Sequence, residues 1–159
     1  MTSKRLGRQT VRLGSPVSVL SYANIGGKQE AQGPLAGYFD ELNQDAYFGQ
    51  KSWEKGESAM QQFALRRAME KGGLIPEDLD YVLAGDLLNQ CIGTSFSLRD
   101  FKIPFYGLYG ACSTMGESLS LAALLIDGGF ASIVAAMTSS HFCTAERQYR
   151  MPVPYGSQR

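Results

Sequence analysis

The chain has 159 residues, 44% of them hydrophobic and 19% charged, enough for one domain with its own core. Fifteen basic residues balance fifteen acidic ones, which excludes the basic footprint of a nucleic-acid-binding protein. The three cysteines, Cys91, Cys112 and Cys143, are odd in number and lack C-x-x-C spacing, so a reduced, cytosolic setting is expected and a disulfide framework is not.

One histidine in the chain argues against a Cys/His zinc site. The opening run "KRLGR" reads as a solvated terminus. No continuous apolar region follows it, so no signal peptide is expected. The longest helix-like apolar stretch, Leu119–Ile126, falls far short of the roughly 20 residues of a membrane span.

In chain order, "SPVSVLSYANI" reads as a first strand ended by Gly26-Gly27, and residues 28–50 read as loop. Ser52 is placed to cap a helix from Trp53, with Met60, Phe63, Ala64 and Ala68 at helical spacing and Gly72-Gly73 as its stop. "YVLAG" (Tyr81–Gly85) is a short apolar run between turn signals, the mark of a buried strand. A second helix is expected from about Gly93 to Phe101. "IPFYGLYG" is strand-like, and a helix follows Cys112. "ASIVAAMTS" is the last strand, ending at "SSH".

This alternation is a βαβαβαβ series, which predicts an α/β fold with a mainly parallel sheet. Ligands in such folds bind outside the carboxyl ends of the strands. Asp86, Gly110–Cys112 and His141 each follow a strand directly, so they are expected at one edge of one sheet.

The helix after Cys112 is apolar on nearly every side, a pattern of buried helices. Cys112 would stand at its N-terminal end, where free backbone N–H groups and the helix dipole favour a thiolate or a bound anion. Thr114 and Glu117 have capping-box spacing, and Ser113 is the alternative N-cap. A cysteine is also a small residue suited to packing, the role assigned to Cys91 and Cys143. His141 reads either as a base, donor or cationic anchor, or as a structural residue. Asp86 reads either as a site residue or as the cap of the next turn. Arg147 and Arg150 could grip a carboxylate, or pair with Glu146 or another surface acid.

Four stretches, "LAGDLLNQ", "IPFYGLYGACST", "LIDGGFA" and "SSHFCTAERQYRMPVPYG", closely resemble the stage V sporulation protein AD family of spore-forming bacteria. The resemblance implies a thiolase-like fold, in which the residue matching Cys112 is the acylated nucleophile of thiolases and ketoacyl synthases. It implies that residues 1–159 are the N-terminal half of a thiolase-like domain, with the second half absent from this chain. The histidines that activate the nucleophile in thiolases come from that second half.

The function the resemblance implies is non-enzymatic: binding of dipicolinic acid for its uptake into the developing spore. The implied setting is cytoplasmic or peripheral at the forespore or spore inner membrane, beside other stage V sporulation A proteins, with the complete protein a homodimer. Candidate ligand-binding residues are Asp86, Asn89, Cys112, Ser113 and His141. Asp86 would repel a bare dianion, so calcium accompanying the ligand is expected if Asp86 takes part. The alternative is a Cys-dependent acyltransferase or condensing enzyme, with Cys112 as catalytic residue, completed by residues outside the chain.

Overall fold

The computed structural model describes residues 4–150. Its centre is a three-stranded parallel sheet. The middle strand, Tyr81–Gly85, pairs on one side with Phe105–Gly107 and on the other with Val134–Thr138. Counting two short pairings nearer the N-terminus, Arg5–Leu6 with Thr10–Val11 (β1, β2) and Ile25–Gly26 with Glu41–Leu42 (β3, β4), the central strands are β5 (Tyr81–Gly85), β6 (Phe105–Gly107) and β7 (Val134–Thr138). The helices are α1 (Trp53–Gly72), α2 (Ile92–Leu98), α3 (Thr114–Asp127) and α4 (Phe142–Arg150).

Side chains alternate across a strand, and β5 uses both of its faces. Val82 and Ala84 pack in one cluster with Leu65 and Met69 of α1, Leu98 of α2, and Phe101. Leu83 points the other way, to Leu108 and to Ala122 of α3. Helices thus cover both sides of an apolar strand, as parallel sheets require. A Cβ at Gly85 would overlap the Leu108 carbonyl, so only glycine lets the β6 exit pass that close to the end of β5.

The start and stop of α1 are as expected. Ser52 Oγ accepts from the Lys55 amide at 3.3 Å, and Gly73 closes the helix with φ of 65°. Its buried stripe differs from the expected one. Glu57, Gln61, Leu65 and Met69 are buried, while Met60, Phe63, Ala64 and Ala68 are half-buried. The stripe is turned so that its first two turns present polar side chains to the interior.

Three further expectations are corrected. Ser15–Ile25 does not form a strand: only Ile25 enters a ladder, and Val19, Leu20 and Tyr22 are exposed. A strand exists through its partners, and no described strand runs beside residues 15–24. Helix α2 is shorter than expected, Ile92–Leu98, and turns out of helix before Phe101. Helix α3 is not largely buried. Only Thr114, Ser118 and Ala122 are buried, whereas Leu119 and Leu124 are 48% and 45% exposed. The sheet covers one flank of α3, and Met115, Leu119, Leu121 and Leu124 keep apolar surface that no described residue covers.

The far end of α3 is fastened to the N-terminal segment. Asp127 accepts from Lys4 Nζ at 2.6 Å, from the Gly14 amide at 2.7 Å and from the Ser15 amide at 3.0 Å. The Lys4 hydrogen bond, followed by the two amides, outweighs desolvation and pulls the Asp127 carboxyl down to about 2.

Two outcomes are expected. Asp127 binds fewer protons in the fold than in the unfolded chain, so its contribution is complete above the ordinary value of 3.8 and is lost as pH falls through about 2. Amide exchange should show Gly14 and Ser15 protected at about pH 5 and unprotected near pH 2, with Asp127→Ala unprotected at both. Contiguous apolar surface of more than a few hundred Å² is uncommon on a soluble monomer. Sedimentation of residues 1–159 alone should therefore show concentration-dependent association, weakened by Leu119→Ser with Leu124→Ser.

Candidate functional site

The register pairs Gly85 with Thr138, so the turns leaving β5, β6 and β7 emerge at the same end of the sheet. Asp86 leaves β5, Gly110–Ser113 follow β6, and Ser139–His141 follow β7. The topology therefore brings the strand-end candidates to one edge.

Cys112 lies in a single 3₁₀ turn, Ala111–Ser113, just before α3, and its thiol is exposed. The expected capping box does not form. Ser113 has φ −91° and ψ −5°, a helical rather than an extended conformation, so its side chain cannot reach forward as an N-cap does. Its hydroxyl donates back to the Gly110 carbonyl at 2.8 Å. Thr114 is fully buried against the end of β5, and its hydroxyl has no hydrogen-bond partner among the described residues. The first turn of α3 consequently carries no side-chain cap.

Asp86 has the capping role. It is buried, its Oδ1 accepts from the Leu88 amide at 2.8 Å, and its Oδ2 accepts from the Thr94 amide at 2.7 Å and the Thr94 hydroxyl at 2.6 Å. The carboxylate thus already receives three donors from its own loop and helix α2. Among the described residues no group of three or more His, Cys, Asp or Glu side chains is placed to hold a metal ion.

Asn89 is exposed on the next turn, and its amide donates to Gln148 Oε1 of α4 at 2.9 Å. Gln90 and Cys91 then take left-handed conformations, φ 58° and 50°, which cost non-glycine residues on the order of 1 kcal/mol each. The buried Cys91 thiol donates to the Leu108 carbonyl at 3.3 Å, and burial pushes that thiol up. Cys91 is the packing residue the sequence suggests.

His141 turns toward the loop before α1. Its Nε2 lies 2.7 Å from the Ala46 carbonyl, which can only accept, so Nε2 carries a proton. Its Nδ1 is buried without a hydrogen-bond partner among the described residues. The Ala46 loop is held in turn by Asp45, which accepts from the Tyr47 and Gly49 amides, and it lies against Gly56, where a Cβ would come within 2.7 Å of the Tyr47 carbonyl. Arg147 meets a surface acid, Glu54 of α1, and sits over the Trp53 ring. The Arg150 side chain lies outside the described residues.

Beneath this edge runs a polar network absent from the sequence-derived candidates. Glu57, 1% exposed, has Oε1 2.5 Å from Ser139 Oγ and Oε2 2.6 Å from Thr144 Oγ1. Gln61 reaches Ser139, Thr94 and Ser97. Glu57 and Gln61 are four residues apart, one turn above Leu65 and Met69 on the same face. That spacing, together with the hydroxyl-rich "TSSH", is the signal that could have revealed the network.

Residues 7–159 match the family model for stage V sporulation protein AD. The chain belongs to that family. It is 43% identical over 156 residues to the stage V sporulation protein AD of Bacillus subtilis (strain 168), a match covering 98% of this chain and 46% of that protein. The chain thus spans about half the length of this relative. Its backbone resembles 3-oxoacyl-[acyl-carrier-protein] synthase III from Aquifex aeolicus VF5, with a TM-score of 0.51 over 55% of this chain and 30% of that one, at 21% identity. This family member therefore has the expected thiolase-like α/β fold. Among its described residues no helix is long and apolar enough to cross a membrane.

Asp86→Ala in this family member should leave the Leu88 amide and both Thr94 donors without their acceptor. The expected cost is at least about 2 kcal/mol in urea unfolding, since hydrogen bonds to a buried charged group are worth about 1.5–3 kcal/mol. A loss below about 0.5 kcal/mol would contradict the capping role.

Proposed function

We propose that this sporulation protein is a binding module for the dianion dipicolinate, built on a condensing-enzyme fold and serving the uptake of that ligand into the developing spore. One observation carries the reading. The exposed turn at Cys112 opens onto the uncapped N-terminus of α3, while the single histidine of the chain is engaged with the Ala46 carbonyl and makes no hydrogen bond to the thiol. The Ser113 and Thr114 amides close the turn onto Gly110 and Ala111, and the positive end of the α3 dipole beyond them suits a carboxylate. Nucleophilic catalysis needs a base within hydrogen-bond reach, and His141 is committed elsewhere.

In this reading one carboxylate of the planar ligand meets the exposed Cys112–Ser113 turn at the positive end of α3. Asn89 borders the same edge and contacts the rest of the ligand, while the turn of His141, held to the Ala46 carbonyl, frames the site. Asp86 shapes the loop and touches neither ligand nor metal; calcium, where present, travels on the ligand's own carboxylates. The intact protein is a homodimer that works at the inner membrane of the forespore, beside other stage V sporulation A proteins.

The second reading is a Cys-dependent acyltransferase. The exposed Cys112 thiol at the start of α3, on a fold shared with a 3-oxoacyl-[acyl-carrier-protein] synthase, is the observation in its favour.

Calorimetry with dipicolinate separates the two. The intact protein should bind it, and Cys112→Ser should change affinity by less than about tenfold, 1.4 kcal/mol, because the backbone donors survive the exchange. Robust acyl transfer by the wild type, abolished in Cys112→Ser, would establish the enzyme instead.

A further inference from the structure

The buried Glu57 cluster has a proton count that an ionised carboxylate does not satisfy. Thr144 Oγ1 lies 2.6 Å from Glu57 Oε2 and 2.8 Å from the His141 carbonyl oxygen. A hydroxyl brings one proton, and a carbonyl brings none. With Glu57 ionised, both neighbours of Thr144 are acceptors, and one of these two short contacts has no proton in it. With a proton on Oε2 both are filled: Glu57 donates to Thr144, and Thr144 donates to the His141 carbonyl. The other oxygen is already supplied. Gln61 Nε2 donates to Ser139 Oγ at 2.5 Å, and Ser139 donates to Glu57 Oε1 at 2.5 Å.

The surroundings favour the same state. Glu57 is 1% exposed, and burial, the largest effect on its carboxyl, pushes it above the ordinary glutamate value of 4.5. Asp86 is close by: a Cβ at Gly93 would stand 3.3 Å from Asp86 Oδ2 and 3.6 Å from Glu57 Cδ. Asp86 adds to the upward push, while the Ser139 and Thr144 hydroxyls and His141 oppose it. The other groups that reach this cluster, Thr94 and Ser97 of α2 and Thr144 of α4, are neutral, and Arg147 of α4 is paired with Glu54.

We propose that Glu57 stores a proton in the folded protein and that this proton locks the turn carrying His141, which makes the candidate ligand site proton-linked. While Glu57 is neutral, the chain from Glu57 through Thr144 to the His141 carbonyl pins the start of α4. When the proton leaves to bulk water, the carboxylate competes with that carbonyl for the one Thr144 hydrogen, and the turn is released. A second buried negative charge behind the edge also opposes a dianion. Both effects make ligand release follow rising pH. The ligand arm of this inference rests on the dipicolinate reading; the proton device does not.

The test uses the intact protein. Carboxyl-selective NMR of wild type should show Glu57 titrating above 4.5, with the His141 ring resonances moving at the same midpoint. Glu57→Gln, a neutral isostere with an amide donor for Thr144 and an oxygen for Ser139, should abolish that shared step. Dipicolinate affinity of the wild type should fall toward the single-proton limit of about tenfold per pH unit above the midpoint, and stay flat in Glu57→Gln. A Glu57 midpoint at or below 4.5, or His141 resonances that do not respond at the Glu57 midpoint, would overturn the proposal, and both are read on wild type alone. Both titration steps without dipicolinate binding at any pH would uphold the proton device and remove the ligand reading.

Discussion

The burial of β5 on both faces is the constraint from which the rest of the molecule follows. Val82 and Ala84 are wholly inaccessible, and Leu83 is nearly so. A strand with apolar residues on both sides must find helices above and below it. Helix α1 and helix α2 answer Val82 and Ala84, and α3 answers Leu83. Parallel partners then enter on either side, because each strand must return across a helix before it can pair again. That geometry sends three turns out of the same end of the sheet, and those turns carry Asp86, Cys112 and His141.

Below that edge the protein accepts a cost. Glu57 and Gln61 occupy core positions of α1 that leucine could fill, and a buried polar group is tolerable only when its partners are in place. Here they are: Ser139 comes from the β7–α4 turn, Thr144 from the first turn of α4, and Thr94 and Ser97 from α2. The network joins three elements with directional bonds where apolar packing would allow sliding. The hydroxyls of the edge thus serve position, while the turn before α3 stays exposed.

Much of the central architecture was legible. "YVLAG" and the strand after Pro104 are short apolar runs between breakers, and their length and flanking turn residues mark such runs as strands. Ser52 and Gly73 are cap residues whose signals act within one turn. What failed depended on partners distant in sequence. The run Ser15–Ile25 has strand composition, yet composition cannot supply a neighbouring strand. The apolar pattern of α3 implied a buried helix, but pattern alone does not supply the packing partners, and among the described residues only one flank is covered. Thr114 and Glu117 have capping spacing, and the 3₁₀ entry at Ala111–Ser113 overrode it. Of the site candidates, Asp86 was legible in two readings, and its contacts with Leu88 and Thr94 match the one as cap of the next turn. Glu57 escaped because an acid in an amphipathic helix ordinarily faces water.

The Asp127 fastening bears on how the chain acquires its shape. Lys4 and Asp127 are separated by 123 positions in sequence, and Gly14 and Ser15 by more than 110. Contacts of such span close late, since the intervening loop must be restrained before they can form. A chain emerging from the ribosome delivers Lys4 first and Asp127 long afterwards. Residues 4–15 must therefore wait, unfastened, until α3 has been synthesised and wound. A part made early is among the last to be fixed.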